Sequence, residues 1–289
     1  MIARFGQMTD KGTQSEIIAA LEVIDPETFD ATAEAERRVQ FLAQYLQDTG
    51  AKGLVLGISG GVDSTVGGRL CQLACERVRE NGGDARFVAV RLPYLVQRDE
   101  DDAAAALGFI QPDLSATIDI GPATDALWDQ VHATGMPMDA EKDHYHKGNV
   151  KARMRMISQY AIAGARGMLV VGTDQAAEAI VGFYTKFGDG AADVTPLFGL
   201  PKRRVREIGA YLGAPERLLT KVPTADLESD RPLLADEEAL GVRYEAVDDY
   251  LEGKDVAEQD EATILGWYRR TGHKRALPVT PDGYLGDRS

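Results

Sequence analysis

Residues 54–65, Leu54-Val55-Leu56-Gly57-Ile58-Ser59-Gly60-Gly61-Val62-Asp63-Ser64-Thr65, narrow the folds open to this chain more than any other stretch. A short apolar run ends in Ser-Gly-Gly-Val-Asp-Ser and passes directly into a helical pattern. The run reads as a buried strand. The two glycines let the turn bring bare backbone amides close to an anion. The helix that follows points its N-terminus at the same spot, where its dipole favours negative charge. Ser59, Ser64 and Thr65 add hydroxyl donors. No Lys follows the glycines, so this is not the Gly-x-x-x-x-Gly-Lys-Ser/Thr loop of common phosphate-transfer proteins. Asp63 would repel a phosphate unless a cation lay between them, and Mg²⁺ fits that need. A plain strand-to-helix turn is the simpler alternative. The strand before the loop and the helix after it favour a site for metal-bound pyrophosphate.

The rest of the chain extends the pattern. Residues 14–24 and 32–48 read as helices separated by Asp25-Pro26, and Val39, Leu42, Ala43 and Leu46 make an apolar stripe in the second. Strands are expected near 53–58, 86–91, 115–120 and 167–172, with helices near 63–80, 97–107, 121–133 and 147–164. This alternation predicts an α/β fold, a doubly wound parallel sheet with flanking helices and ligands at the carboxyl ends of its strands. After about residue 196 the strand signal fades and short helices take over. Residues 221–235 lack periodicity and carry two prolines, which suits a lid or a plain linker equally. The chain is expected to be one domain over 1–289: N-terminal helices to 50, a nucleotide-binding core over 51–200, and a helical part over 201–289 with the loop 221–235.

Charge and cysteines limit the partners. The net charge of −14 disfavours nucleic acid, which needs basic patches. Cys71 and Cys75 share a helix face without a Cys-x-x-Cys pair, so core packing is expected rather than zinc or redox chemistry. His144 and His146 lack further ligands nearby. No apolar run approaches the ~20 residues that span a bilayer, and the N-terminus lacks a signal core, so a cytoplasmic protein without membrane contact is expected.

Three further stretches carry chemistry. Lys147-Gly148-Asn149-Val150-Lys151-Ala152-Arg153-Met154-Arg155 puts four cations on one helix of an acidic protein; alone it would read as a solvated face. Gly172-Thr173-Asp174-Gln175-Ala176-Ala177-Glu178 is a second strand-end loop opening a helix, and Glu178 could share a cation with Asp63. Asp174 also suits the helix N-cap. Gly182-Phe183-Tyr184-Thr185-Lys186-Phe187-Gly188-Asp189-Gly190 combines aromatic faces with Lys and Asp, as a ring-bearing nucleotide would require.

The hexapeptide 59–64 resembles the pyrophosphatase loop, Ser-Gly-Gly-x-Asp-Ser, of ATP pyrophosphatases, which split ATP into AMP and pyrophosphate to activate a carboxylate or carbonyl oxygen. The three stretches above follow it in order, as do Pro223-Thr224-Ala225-Asp226-Leu227-Glu228, Asp248-Asp249-Tyr250-Leu251-Glu252-Gly253 and Thr271-Gly272-His273-Lys274-Arg275. Over nearly the whole chain this set resembles the ammonia-dependent NAD synthetase family, of the N-type ATP pyrophosphatase superfamily with its adenine nucleotide alpha hydrolase-like fold. The resemblance implies amidation of deamido-NAD by ammonia, with ATP as co-substrate and NAD, AMP and pyrophosphate as products. It implies that Gly57, Ile58, Ser59, Gly60, Gly61, Val62, Asp63 and Ser64, with Arg91, Thr173, Lys202 and Thr224, bind ATP. It assigns Mg²⁺ to Asp63 and Glu178, and deamido-NAD to Arg153, Lys186, Asp193, His273 and Lys274.

The mechanism implied is attack of the nicotinate carboxylate on the α-phosphorus, then of ammonia on the acyl-adenylate. Asp63, Lys202 and Asp189 are the catalytic candidates, Asp189 to hold ammonium and take its proton. A homodimer with deamido-NAD at the subunit interface is expected by the same analogy. The chain is too short to include a glutaminase domain as well, so ammonia is the expected nitrogen donor. Val62, Gln175 and Ala191 depart from the family's common Gln, His and Gly; none removes an expected ligand. The alternatives are another amidating or thiolating ATP pyrophosphatase, or a non-catalytic nucleotide-binding protein.

Overall fold

The computed structural model describes residues 14–95, 100–222 and 236–276, with 278 and 281. Four strands, β1 (Gly53–Gly57), β2 (Arg86–Arg91), β3 (Leu114–Thr117) and β4 (Leu169–Val170), form one parallel sheet in the order β3-β2-β1-β4. Leu54 pairs with Phe87 on one side and Leu169 on the other, so β1 is central. The order reverses between β1 and β4, which makes the carboxyl end of β1 the crevice where ligands enter such sheets.

Strand periodicity distributes the core. Leu54, Leu56, Phe87 and Ala89 face one layer, formed by α2 (Ala31–Thr49), α3 (Val62–Glu80) and α8 (Lys202–Tyr211). Val55, Val88 and Val90 face the other, where Ile120 and Ala163 lie, at α5 (Gly121–Ala133) and in α6 (Asp143–Arg166). A separate apolar cluster joins α1 (Gln14–Ala20) and α7 (Ala176–Val181) to α11 (Tyr244–Leu251) and α12 (Glu258–Arg270). The elements described from residue 202 onward are all helical; α4 (Glu100–Ile110), α9 (Glu216–Leu219), α10 (Asp236–Leu240) and α13 (Gly272–Arg275) complete the set.

The expected alternation is present, and the boundaries differ for physical reasons. α1 stops at Ala20 rather than 24 because Glu22 turns at φ 52° and the Ile24 amide leaves to bond Gly199 O at 3.0 Å. β3 is shorter than expected, although Ile118 N and Ile120 N still bond Arg91 O and Pro93 O along the edge. β4 has two residues, continued by a single parallel bridge between Val171 and Val194. α6 begins four residues earlier than expected, with Asp143 suited to its N-terminal dipole, and ends at Gly167 with φ 65°. Cys71 and Cys75 are buried in the core, and burial pushes the Cys75 thiol up to about 12.

Arg38 joins the N-terminal helices to the segment that leads into α8. Its guanidinium lies 2.6 Å from Glu34 Oε1, and it donates to Pro196 O and, at 2.9 Å, to Phe198 O. Replacing Arg38 by Met would leave two carbonyls without their donor, while Glu34 would keep Arg37. The expected loss is about 2–3 kcal/mol, read as a lower urea midpoint with unchanged slope. A loss below about 0.5 kcal/mol would show that the contact does not hold the two segments together.

Candidate functional site

The loop after β1 is built to face an anion. Gly60 has φ 83°, and a Cβ there would stand 2.8 Å from backbone atoms of Asp102 and Ala103, so the loop lies directly against α4. Gly61 caps α3 without a side-chain hydrogen bond, and the amides of Val62, Asp63 and Ser64 form its first turn. The hydroxyls knit the loop: Ser59 Oγ accepts from Gly61 N at 3.2 Å, while Ser64 Oγ and Thr65 Oγ1 donate to Gly61 O. Four residues expected at the phosphates have occupied amides: Gly57 N donates to Gln159 Oε1 at 2.7 Å, Ile58 N to Val90 O, Ser59 N to Ser64 Oγ at 3.3 Å and Gly61 N to Ser59 Oγ. Val62 is buried in the core, which accounts for an apolar residue there.

The second strand-end loop lies beside the first. Thr173 Cγ2 would be 3.8 Å from a Cβ at Gly67 of α3. Gln175 is fully buried and caps α7 through Oε1 on Ala177 N at 2.6 Å. The sequence suggests Asp174 near that N-cap; Gln175 fills it instead, a task for which an amide oxygen suffices. Asp174 faces Asp189 and Asp63 instead. Burial and those two carboxylates push its pKa up to about 7, against the pull of Lys274.

Lys202, at the start of α8, brings the pieces together. Its Nζ donates to Asp63 Oδ2 at 2.9 Å and to Glu178 Oε1 at 3.4 Å, and lies 4.6 Å from the centre of the Tyr244 ring. Burial opposes its charge, but Asp63 and Glu178 outweigh that and hold its pKa well above the ordinary lysine value. Burial raises Glu178, against the ammonium's opposing pull. Asp248 caps α8 with both oxygens, accepting from Lys202 N and Arg203 N at 2.8 Å each. Sequence reasoning named Lys202 but not Tyr244 or Asp248. The Asp248-Asp249-Tyr250-Leu251-Glu252-Gly253 motif was the available signal, and it carried no role. Among the described residues, buried Asp63 Oδ1 has no hydrogen-bond partner.

The substrate candidates divide into two groups. Arg153 donates to Lys186 O at 3.1 Å, so these two cations are neighbours. Asn149 of the same helix accepts from Thr185 Oγ1 at 2.8 Å. Beside Arg153 a cavity of about 450 Å³ is lined in part by Trp128, Met138, His146 and Asn149. Asp193 and Lys274, like the catalytic candidate Asp189 and the ATP candidate Arg91, have structural engagements. Asp193 Oδ2 accepts from Val170 N at 2.7 Å, bracing the end of β4. Lys274 Nζ donates to Gly182 O and Tyr184 O at 2.7 and 2.6 Å, holding the aromatic loop from behind. Asp189 Oδ1 accepts from Thr185 N at 3.0 Å within that loop, and desolvation raises its pKa. Arg91 pairs with Glu100 at 3.0 Å, and His273 is exposed on α13. Thr224, and the 221–235 loop beyond Val222, lie outside the described residues.

A family model described as NAD synthase matches residues 34–278. A relative from Streptomyces coelicolor, named NH(3)-dependent NAD(+) synthetase, is 61% identical over 93% of this chain and 97% of its own length. The crystal structure of NAD+ synthetase from Burkholderia pseudomallei covers 94% of this chain and 99% of that one, at 51% identity and TM-score 0.80. The structure of NMN synthetase from Francisella tularensis covers 88% and 99%, at 34% identity and TM-score 0.76.

Asp174 sets a pH dependence. Its folded pKa lies above the unfolded value of about 3.9, so its favourable contribution is complete below pH ~4 and is lost as pH rises through about 7. Asp174→Asn should therefore raise stability at pH 8 by roughly 2 kcal/mol, and the gain should shrink as pH falls from 7 towards 4. Thermal melts across that range check it. A gain that grows with acidity would contradict the raised pKa.

Proposed function

The chain belongs to the NAD synthase family, and we propose that it is an ammonia-dependent NAD+ synthetase, which amidates deamido-NAD at the expense of ATP and releases AMP and pyrophosphate as the final step of NAD biosynthesis. The observation that carries this reading is the meeting of Asp63, Glu178 and Lys202 beside the Ser59-Gly60-Gly61 loop, where the sheet order reverses.

In this reading the first-turn amides of α3 and the Lys202 ammonium take the charge that develops on the departing pyrophosphate. The residues present fit Mg²⁺. Asp63 and Glu178 are hard oxygen donors that meet at Lys202, Asp63 Oδ1 is an acceptor unfilled among the described residues, and Mg²⁺ binds through one or two carboxylates plus phosphate oxygens. When bound there, Mg²⁺ would supply further neutralisation of the phosphates. The nicotinate carboxylate attacks the α-phosphorus, and pyrophosphate leaves. Asp189 then holds ammonium and takes its proton. Asp174, whose pKa stands near neutrality, is the second proton acceptor of that cluster. Ammonia attacks the acyl carbon and AMP departs.

Arg153 and Lys186 are the anchors for the anionic dinucleotide, and the cavity beside Arg153 suits one of its ring systems in size. We assign Thr173, Arg91 and Thr224 to ATP, and His273, Lys274 and Asp193 to the edge of the deamido-NAD site. Asp193 and Lys274 would act there mainly by fixing backbone. A homodimer is part of this reading, as is a cytoplasmic location. Among the described residues no helix is long and apolar enough to cross a membrane.

The purified protein should yield one AMP and one pyrophosphate per NAD formed from deamido-NAD, ATP and ammonium, and should need Mg²⁺. Release of ADP and phosphate would reject the pyrophosphatase chemistry. Nicotinate mononucleotide should be a far poorer substrate. Equal kcat/KM on it would move the protein to the activity that the Francisella relative's name describes. Asp63→Asn should lower kcat by about 100-fold or more without loss of fold, checked by circular dichroism.

A further inference from the structure

The Lys202 ammonium stands between the two carboxylates that we assign to a divalent cation, 2.9 Å from Asp63 Oδ2 and 3.4 Å from Glu178 Oε1. An ammonium in contact with both carboxylates repels a dication arriving at the same oxygens, so the pair cannot serve both cations fully at once. Helix α11 is arranged for an exchange. Asp248 holds Lys202 N and Arg203 N, each at 2.8 Å, which fixes the backbone from which the lysine stem departs. Tyr244, one turn earlier on α11, puts its ring 4.6 Å from the ammonium. An aromatic face attracts a cation without being an anion, so it remains a resting place after the carboxylates are lost. The Tyr244 hydroxyl is tied to Asp236 Oδ2 at 3.4 Å, which restrains the ring. The fully buried Lys202 has a flexible four-carbon stem able to cover a short swing. Asp63 Oδ1 remains an acceptor that none of the described residues fills.

We propose that Lys202 is a tethered counter-cation. In the ligand-free protein it neutralises Asp63 and Glu178. It cedes them to the divalent cation that enters with the nucleotide, and stays beside Tyr244 as a second positive charge against the phosphates. This rests on the reading that Asp63 and Glu178 hold the metal. Two consequences follow for the protein without nucleotide. A divalent cation alone must displace the lysine and binds weakly to the wild type. Removing the lysine exposes a carboxylate pair that destabilises the fold and captures metal.

The test is titration with Mg²⁺ and Mn²⁺ in the absence of nucleotide, followed by calorimetry and by thermal melts, for the wild type, Lys202→Met, Lys202→Gln, and each lysine variant combined with Asp63→Asn. Without metal the lysine variants should melt below the wild type. Mg²⁺ should recover the loss, and Mn²⁺ should bind them about tenfold or more tightly than it binds the wild type. Adding Asp63→Asn should abolish both effects. If Lys202→Met does not fold, Lys202→Gln, which keeps a donor for a carboxylate oxygen, makes the same comparison. Equal metal-induced shifts in wild type and variants would overturn the proposal, as would lysine variants that take up no Mn²⁺. The underlying reading is judged apart from this, by whether wild-type turnover requires Mg²⁺. A Mg²⁺-dependent enzyme whose metal binding ignores Lys202 keeps that reading and loses this proposal.

Discussion

One ammonium group among carboxylates organises the carboxyl end of the sheet in this protein. Lys202 reaches Asp63 at the start of α3 and Glu178 in α7, while Tyr244 and Asp248 of α11 hold its two ends. Four segments far apart in sequence must therefore arrive together. A buried ion pair of this kind is weak evidence of stability, because desolvation offsets much of the attraction. Its effect here is on arrangement: a fold that misplaced any one of these elements would leave a charge buried without its partner, at a cost of several kcal/mol.

The acidic residues around the ammonium compound the constraint. Asp174, Glu178 and Asp189 all have raised pKa values, each through burial first. A protein selected only for stability would not gather three such groups with Asp63 at one strand end. Their gathering is understandable where cations must be bound and a proton accepted, and it marks the site on physical grounds alone.

Much of this was legible in the sequence. The Leu54–Leu56 run and the glycines after it read as a buried strand and a tight turn, and the alternation of strands and helices reads as the parallel sheet that forms. What could not be read locally depends on contacts across long separations. Asp248 meets Lys202 from 46 residues away, and no periodic pattern announces it. Asp193 and Lys274 entered only through the family resemblance, as substrate contacts, and their bonds to Val170 N and to Gly182 O and Tyr184 O require the folded backbone. Gln175, a departure from the family pattern, explains itself once its oxygen is found on the Ala177 amide. The end of α1 depended on Gly199 O, which draws the Ile24 amide away.

The attachments made by α13 bear on how the protein is synthesised. Lys274 holds the carbonyls of Gly182 and Tyr184, and Arg275 holds that of Ala179, across 90 to 96 residues of chain. On a ribosome the parallel sheet can assemble as its strands emerge, since domains form from the N-terminal side during translation. The aromatic loop cannot be fastened until residue 275 has left the exit tunnel. Until then the nascent chain carries a parallel sheet whose carboxyl end still lacks the fastening of that loop.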